Sequence, residues 1–384
     1  MGLDARKSQI LRAIVDDYID TAEPVGSKSL VSKYSLNVSS ATVRNEMAEL
    51  EEMGYLEQPH TSAGRIPSDK GYRAYVDNML RVSEIPPDEA ESMRNYLREN
   101  LDEMTVLIRK AAAVLSEKTD YTSLVLSPQY KSSHLKQIKM LMIEPGRALV
   151  VVVLSAGVVK DRLVRVPEIL DAAQLMQIAS AIEDNLSGMK LDDITLVTVA
   201  SAAKHTPLPE SLLNQVMYEA YLSIKQADHL DLYLDGSHRL LAQPEFQDVR
   251  RAHDFLETLN RQGLVAGYMS ELKADEKIVS DHSESGPDDF AFDDEDISQL
   301  QKCPLKDPAY MVRIGQEITL DGLQDCSFIT TSYRVGDTVA GRIGVIGPKR
   351  MTYGKVISHI NFVKTTINDQ IRRLASGDDR LEDR

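Results

Sequence analysis

The sequence predicts an α+β protein of several domains, headed by a winged helix-turn-helix. Three observations predict it. Residues 10–53 carry three short apolar stripes at helical spacing, separated by polar turns. Residues 55–67 then switch to two strand-like runs around a small polar loop. From Leu135 onward strands and helices mix without a regular βα rhythm, which argues against a doubly wound sheet. At 384 residues and 42% hydrophobic, the chain can bury a substantial core and has room for two or three domains.

The first stripe, Ile10, Leu11, Ile14, Val15, Tyr18 and Ile19, predicts a helix ending before Pro24. Val25-Gly26-Ser27 opens a second helix, from Ser27 to about Ser35, with Leu30, Val31 and Tyr34 inward and Lys28 and Lys33 outward. A short connection, Leu36-Asn37-Val38-Ser39, leads into the third. There Ser39 and Ser40 can cap the helix by accepting backbone N–H bonds, and Val43, Met47 and Leu50 face a core. Thr42, Arg44 and Asn45 face away, and Gly54 stops the helix in a left-handed cap. Tyr55–Pro59 reads as a strand, His60–Gly64 as a loop, and Arg65-Ile66-Pro67 as a return strand.

A helix whose exposed first turn holds Ser, Thr, Arg and Asn offers donors for base edges and phosphates. Helix, helix, tight turn, helix, wing is the winged variant of the helix-turn-helix. Three amphipathic helices also occur in many proteins that bind no DNA, and Arg44, Asn45 or His60 alone reads as an ordinary solvated residue. The wing, with Arg65 beside Gly64, separates the two readings. The candidate contacts are Ser40, Thr42, Arg44 and Asn45 at the major groove, with the capping Ser39 beside them. His60, Thr61, Ser62 and Arg65 form the wing, reaching phosphate or the adjacent minor groove, and Lys28 and Ser29 position the backbone.

A net charge of −15 conflicts with DNA binding until it is located. Residues 275–296 hold ten acids against Lys277 alone, which accounts for −9. Phosphate attraction acts within a Debye length of about 8 Å, so the relevant charges are Lys28, Lys33, Arg44, Arg65, Lys70 and Arg73, expected on one face. The stretch 275–298 has the composition of a solvated, disordered loop. Its spacing does not fit a calcium loop. A functional alternative is an acidic segment that competes with DNA for the basic head.

Ser68 caps a fourth helix running toward about Arg81, and Val82–Pro87 reads as a linker. Residues 88–118 predict one long packing helix, with Met93, Tyr96, Leu97, Leu101, Met104, Leu107, Ile108, Ala111 and Leu115 on one side. Residues 135–144 and 148–154 flank a hairpin at Pro145-Gly146-Arg147, and Val158–Val166 suits a third strand. Helices are predicted at 171–186 and 209–227, with a strand near Thr195–Val199 between them. Leu230–Leu234, Tyr310–Ile314, Ser327–Tyr333 and Ile343–Ile346 are further strands, and Thr352–Leu374 a final helix.

Enzyme readings fail. Ser201-Ala202-Ala203-Lys204 matches a Ser-x-x-Lys pattern without its companion motifs. Gly341, Gly344 and Gly347 are not a dinucleotide loop, and turns beside Pro348 explain them more simply. Scattered histidines and two cysteines, Cys303 and Cys326, form no metal-ligand cluster or disulfide framework, so no cofactor is expected. With no apolar stretch of transmembrane length and no signal-peptide core, the expectation is a cytoplasmic protein.

The segment NVSSATVRNEMAELEEMGYLEQPHTSAGRIPSDKGYRAYVD closely resembles the amino-terminal signature of the bacterial heat-inducible transcription repressors, the HrcA family. GSHRLLAQPEF (236–246), VRIGQE (312–317) and GRIGVIGPKRMTYGKVI (341–357) resemble its later motifs, so the likeness is nearly full length. Ser68 departs from a usual threonine while preserving the cap, and the acidic loop is longer than the family pattern. The resemblance implies a winged head (1–81), a linker and long helix (82–118), and a GAF-like domain (119–159 plus 229–384) interrupted by an inserted dimerisation domain (160–228). It implies a homodimer on an inverted-repeat operator of class I chaperone operons, kept in its DNA-binding form by the chaperonin, with no membrane partner. The alternative is a regulator whose GAF-like part binds a small molecule.

Overall fold

The computed structural model describes residues 3–34, 38–60, 63–98, 104–128, 134–155, 159–204, 209–227, 231–272, 310–335 and 338–376. The acidic stretch 275–298, Cys303, and the wing residues Thr61 and Ser62 lie outside them. The architecture is mixed α+β, with three separate antiparallel sheets among the described residues.

The head begins with α1 (Ala5–Thr21), α2 (Ser27–Lys33) and α3 (Ser40–Glu52), followed by β1 (Leu56–Glu57), β2 (Ile66–Pro67) and α4 (Asp69–Asn78). Asp4 caps α1, its carboxylate accepting from the Lys7 amide at 2.7 Å. The three apolar stripes meet as expected: Ile10, Leu11, Ile14, Leu30, Val43 and Leu50 are all buried. Ser68 caps α4 by accepting from the Gly71 amide, and the helix stops at Asn78, short of Arg81.

The predicted long helix is two helices, α5 (Pro87–Arg98) and α6 (Met104–Thr119). Lys110 Nζ donates to the Tyr96 carbonyl at 3.0 Å. Fourteen residues along one continuous helix span about 21 Å, so α6 must return beside α5. Periodicity alone does not see this, because the apolar phase is similar on both sides of the break.

The body is built on a five-stranded sheet, ordered β7-β3-β10-β9-β8, from β3 (Thr122–Leu126), β7 (Leu232–Asp235), β8 (Tyr310–Ile314), β9 (Cys326–Val335) and β10 (Thr338–Pro348). Every residue of β3 is buried, as for a strand covered on both faces. On one face Val125, Ile329, Ile343 and Val345 pack with α6 and with α13 (Tyr353–Ser376). On the other, Leu124, Leu126, Phe328 and Ile346 meet α11 (Val249–Asn260) and α12 (Gln262–Glu271), with α10 (Ser237–Leu240) at the edge. Gly341, Gly344 and Gly347 lie inside β10, not in turns. A Cβ at each would strike Tyr333, Phe328 or Tyr121, so the glycines make room for three aromatic rings.

Between β3 and β7 sits a separate unit: β4 (Leu135–Glu144), β5 (Arg147–Leu154), β6 (Val159–Arg165), α7 (Ala172–Leu186), α8 (Leu196–Ala202) and α9 (Glu210–Gln226). Among the described residues its strands pair with one another, in the order β4-β5-β6, and its core is its own, with Ile138, Val150, Val152, Ile178, Val216 and Ile224. A boundary at 160 therefore falls inside one sheet; the unit begins near 134. The strand expected at Thr195–Val199 is the start of α8. Thr195 and Thr198 form a reciprocal capping box (3.2 and 2.8 Å), and Val199 and Ala202 face inward one turn apart. Capping and burial override the β preference of Thr-Leu-Val-Thr-Val.

Two separate cores predict local consequences of damage. Ile138→Ala should cost about 2–5 kcal/mol. Hydrogen exchange should show protection lost across 135–227 and retained across 310–376.

Candidate nucleic-acid interface

The exposed edge of the head is α3 with its hairpin. Ser39 has extended backbone, and its Oγ accepts from the Thr42 amide at 3.1 Å while sharing a hydrogen bond with Thr42 Oγ1 at 2.9 Å. These two hydroxyls are thus tied to the cap. Ser40 is half-buried, whereas Arg44 and Asn45 are exposed on the first turns. Gly54 ends the helix region at φ +78, a conformation that favours glycine.

The wing is held by backbone and one side chain. Leu56 pairs with Pro67 and Glu57 with Ile66. Val25, between α1 and α2, adds a third rung, exchanging two 2.9 Å hydrogen bonds with Arg65. That approach needs Gly64, where a Cβ would lie 2.4 Å from the Val25 carbonyl oxygen. Gln58 Nε2 braces the loop by donating to the Ala63 carbonyl at 3.0 Å. Gln58 was not among the sequence candidates, and a strand-end amide carries no signal to single it out. His60 is exposed at the tip.

Four of the six cations expected on one face are engaged within the protein. Arg65 Nε donates to Glu51 at 2.8 Å, so its guanidinium locks the wing to α3. Lys33 pairs with the buried Asp17 at 2.6 Å. Lys70 donates to the Met53 carbonyl at the end of α3 and lies 4.4 Å from the Tyr55 ring centroid, a position that also suits the helix dipole. Arg73 turns toward the body and pairs with Glu317. Among the described residues, Lys28 and Arg44 are exposed without an ion pair, and Ser29 is half-buried beside Lys28. Two further acidic side chains of α3 are occupied too: Lys7 reaches Glu46 and Glu49, each at 2.9 Å.

Elsewhere, His253, Asp254 and Glu257 come within metal-ligand spacing on α11, but all three are exposed on one helix face and Glu257 already pairs with Arg261. Cys326 is fully buried, which raises its thiol pKa well above the ordinary value and keeps it protonated.

Fold and surface together describe a regulator-like class: a small helical head with an exposed helix-and-hairpin edge, carried on a larger α+β body. A family profile described as the HrcA protein C terminal domain matches residues 105–357. The heat-inducible transcription repressor HrcA of Ruminiclostridium cellulolyticum is 40% identical over 97% of this chain and 99% of its own. That of Acetivibrio thermocellus is 36% identical over 98% and 99%. A crystal structure described as a hypothetical protein shares the fold at TM-score 0.60 and 19% identity, covering 97% of this chain and 100% of that one. The chain belongs to the HrcA family of heat-inducible transcription repressors.

The capping role of Ser39 is separable from any contact it makes. Ser39→Ala should lower stability by about 1 kcal/mol in thermal or urea unfolding, and Ser39→Asp should restore it.

Proposed function

We propose that the chain represses class I chaperone operons by binding, as a homodimer, an inverted-repeat operator and blocking transcription. The carrying observation is the exposed pair Arg44 and Asn45 on the first turns of a capped helix, flanked by a braced hairpin, in a member of a repressor family. On this reading residues 3–78 are a winged helix-turn-helix. Arg44 and Asn45 enter the major groove with Ser40 and Thr42 beside them. His60 leads the wing with Thr61 and Ser62, Arg65 holds it, and Lys28 and Ser29 grip phosphate. Ser39 acts through the cap.

The five-stranded sheet with helices on both faces is the GAF-like part, and the unit at 134–227 is the dimerisation domain. Its sheet supports that role: the face turned away from α7 and α9 carries Leu141 and Leu163 across Leu149, with Ile143 and Val159 also exposed. Apolar residues in that number on one open sheet face fit a symmetric partner surface. The chaperonin keeps the repressor in its DNA-binding form, so unfolded protein that draws the chaperonin away lowers repression. Such a regulator works in the cytoplasm and needs no cofactor.

The test is binding to the inverted-repeat operator and to a scrambled duplex at fixed salt, with and without chaperonin. Preference for the operator by about a thousandfold or more is expected, strengthened by chaperonin; equal affinity for both duplexes would defeat the proposal. A metabolite that raised Tm and altered operator affinity would instead favour the ligand-sensing reading.

Arg44→Ala should cost about 1–3 kcal/mol of operator binding and relax base preference. Lys28→Ala should weaken all duplexes alike and reduce the salt slope by about one. Leu163→Glu should convert dimer to monomer in sedimentation while leaving binding to a single half-site.

A further inference from the structure

The segments that carry the family resemblance outside α3 and the wing come from four distant parts of the chain and converge on one junction. From the head, Asp69 and Arg73 stand one turn apart on α4. Asp69 pairs with Lys349 at 2.6 Å and accepts from the Gln316 amide at 3.1 Å. Arg73 Nε donates to Glu317 Oε1 at 3.0 Å, and its Nη2 donates both to Glu317 Oε2 and to the Val312 carbonyl, the latter at 2.6 Å. Gly315 has φ +56, and a Cβ there would lie 2.0 Å from Asp69 Oδ2. Tyr72 and Tyr75 hold their rings 6.2 and 6.4 Å from that of Tyr353. Beside them Arg350 ties Glu245 (2.5 Å) and Gln243 (2.9 Å) to the Ile19 carbonyl of α1 (3.3 Å).

Ordinary interdomain packing explains the aromatic part of this junction. It does not require a two-pronged guanidinium–carboxylate pair with a third bond to a carbonyl. Half-exposed ion pairs add little stability, but a forked pair fixes the angle between its partners. The chain between the two bodies, 79–86, has no regular structure and is itself tied down, Ser358 Oγ of α13 donating to the Ser83 carbonyl, so side-chain contacts at the junction set the orientation. Inside the head α4 cannot turn alone. Gly71 packs against the Tyr55 carbonyl, and Tyr72 and Val76 are buried in the core that holds α3. Any rotation of α4 on the body therefore carries α3 and the wing with it.

We infer that Asp69 and Arg73 are positioning residues that set the direction of the reading helix relative to the body, and so the half-site spacing that a dimer accepts. The spacing part rests on the dimeric-operator reading above. The docked arrangement leaves Arg44, Asn45 and His60 exposed, so it is competent for DNA and works by selecting geometry, not by masking the head.

The experiment uses the full chain with Arg73→Ala, Lys349→Ala and both together. Small-angle scattering without DNA reads the junction directly, and the double variant should show a larger radius of gyration and a flexible profile. DNA binding is measured on the operator, on a single half-site, and on an operator whose spacer is lengthened by half a helical turn, about 5 base pairs. The wild type should lose about a hundredfold or more on the lengthened spacer; the double variant should lose less than about tenfold, with half-site affinity within twofold of wild type. A wild-type spacing profile in the double variant overturns the proposal. So does a fall in half-site affinity that accounts for the whole loss, which would make these contacts merely structural. If the wild type ignores the inverted repeat, the dimeric reading fails on its own, and unchanged scattering by the double variant then overturns the positioning role.

Discussion

The burial of Tyr72, Tyr75 and Tyr353 against one another joins head and body through a common apolar core, and much else follows from it. Tyr72 and Tyr353 are almost wholly buried, and the cluster they belong to runs without interruption from Ile10 of α1 to Ile371 of α13. Their hydroxyls are strongly discouraged from ionising by that burial. Tyr353 Oη lies 2.7 Å from Ser327 Oγ and donates to the Lys349 carbonyl, so two partners hold the ring by its hydroxyl. A helix of ten residues, α4, thereby serves two domains at once. Its composition reflects this: glycine where the wing strand crosses, tyrosines toward the shared core, and Asp69 and Arg73 toward the body.

The same economy governs charge. In a chain of net charge −15 any cationic face must be local. Most head cations are engaged internally: Lys7 joins α1 to α3, Lys33 neutralises Asp17, and Arg65 fastens the wing. These pairs orient the exposed edge more than they supply attraction. The free positive charge at that edge rests on Lys28 and Arg44 among the described residues. A face of this kind offers shape and a few directed donors more than it offers free charge.

Much of the head is legible in the sequence because its physics is local. Ser39, Thr42 and Gly54 mark the ends of α3 through hydrogen bonds and a positive φ only a few residues away, and the apolar period assigns Val43, Met47 and Leu50 to the core. The hairpin at 144–147 and the burial alternation of β5 are equally local. Where local rules compete, the reading goes astray. Thr195–Val199 has the composition of a strand and forms a helix because a capping box and two inward residues outweigh propensity. Residues 88–118 keep one apolar phase through a reversal of direction.

The sequence by itself determined the α+β class of the fold, the three head helices, the hairpin after them, the polar first turn of α3 and the family. Tertiary structure alone decided which charges face outward and where the inserted unit begins. A cation's sequence position says nothing about the carboxylate it meets: Arg73 finds Glu317 across more than two hundred residues. The boundary near 134 depends on β4 pairing with β5 and β5 with β6, whereas β3 pairs with β7 and β10. Strand partnership and ion pairing are non-local choices, made by the whole chain as it closes, and short-range periodicity carries no record of them.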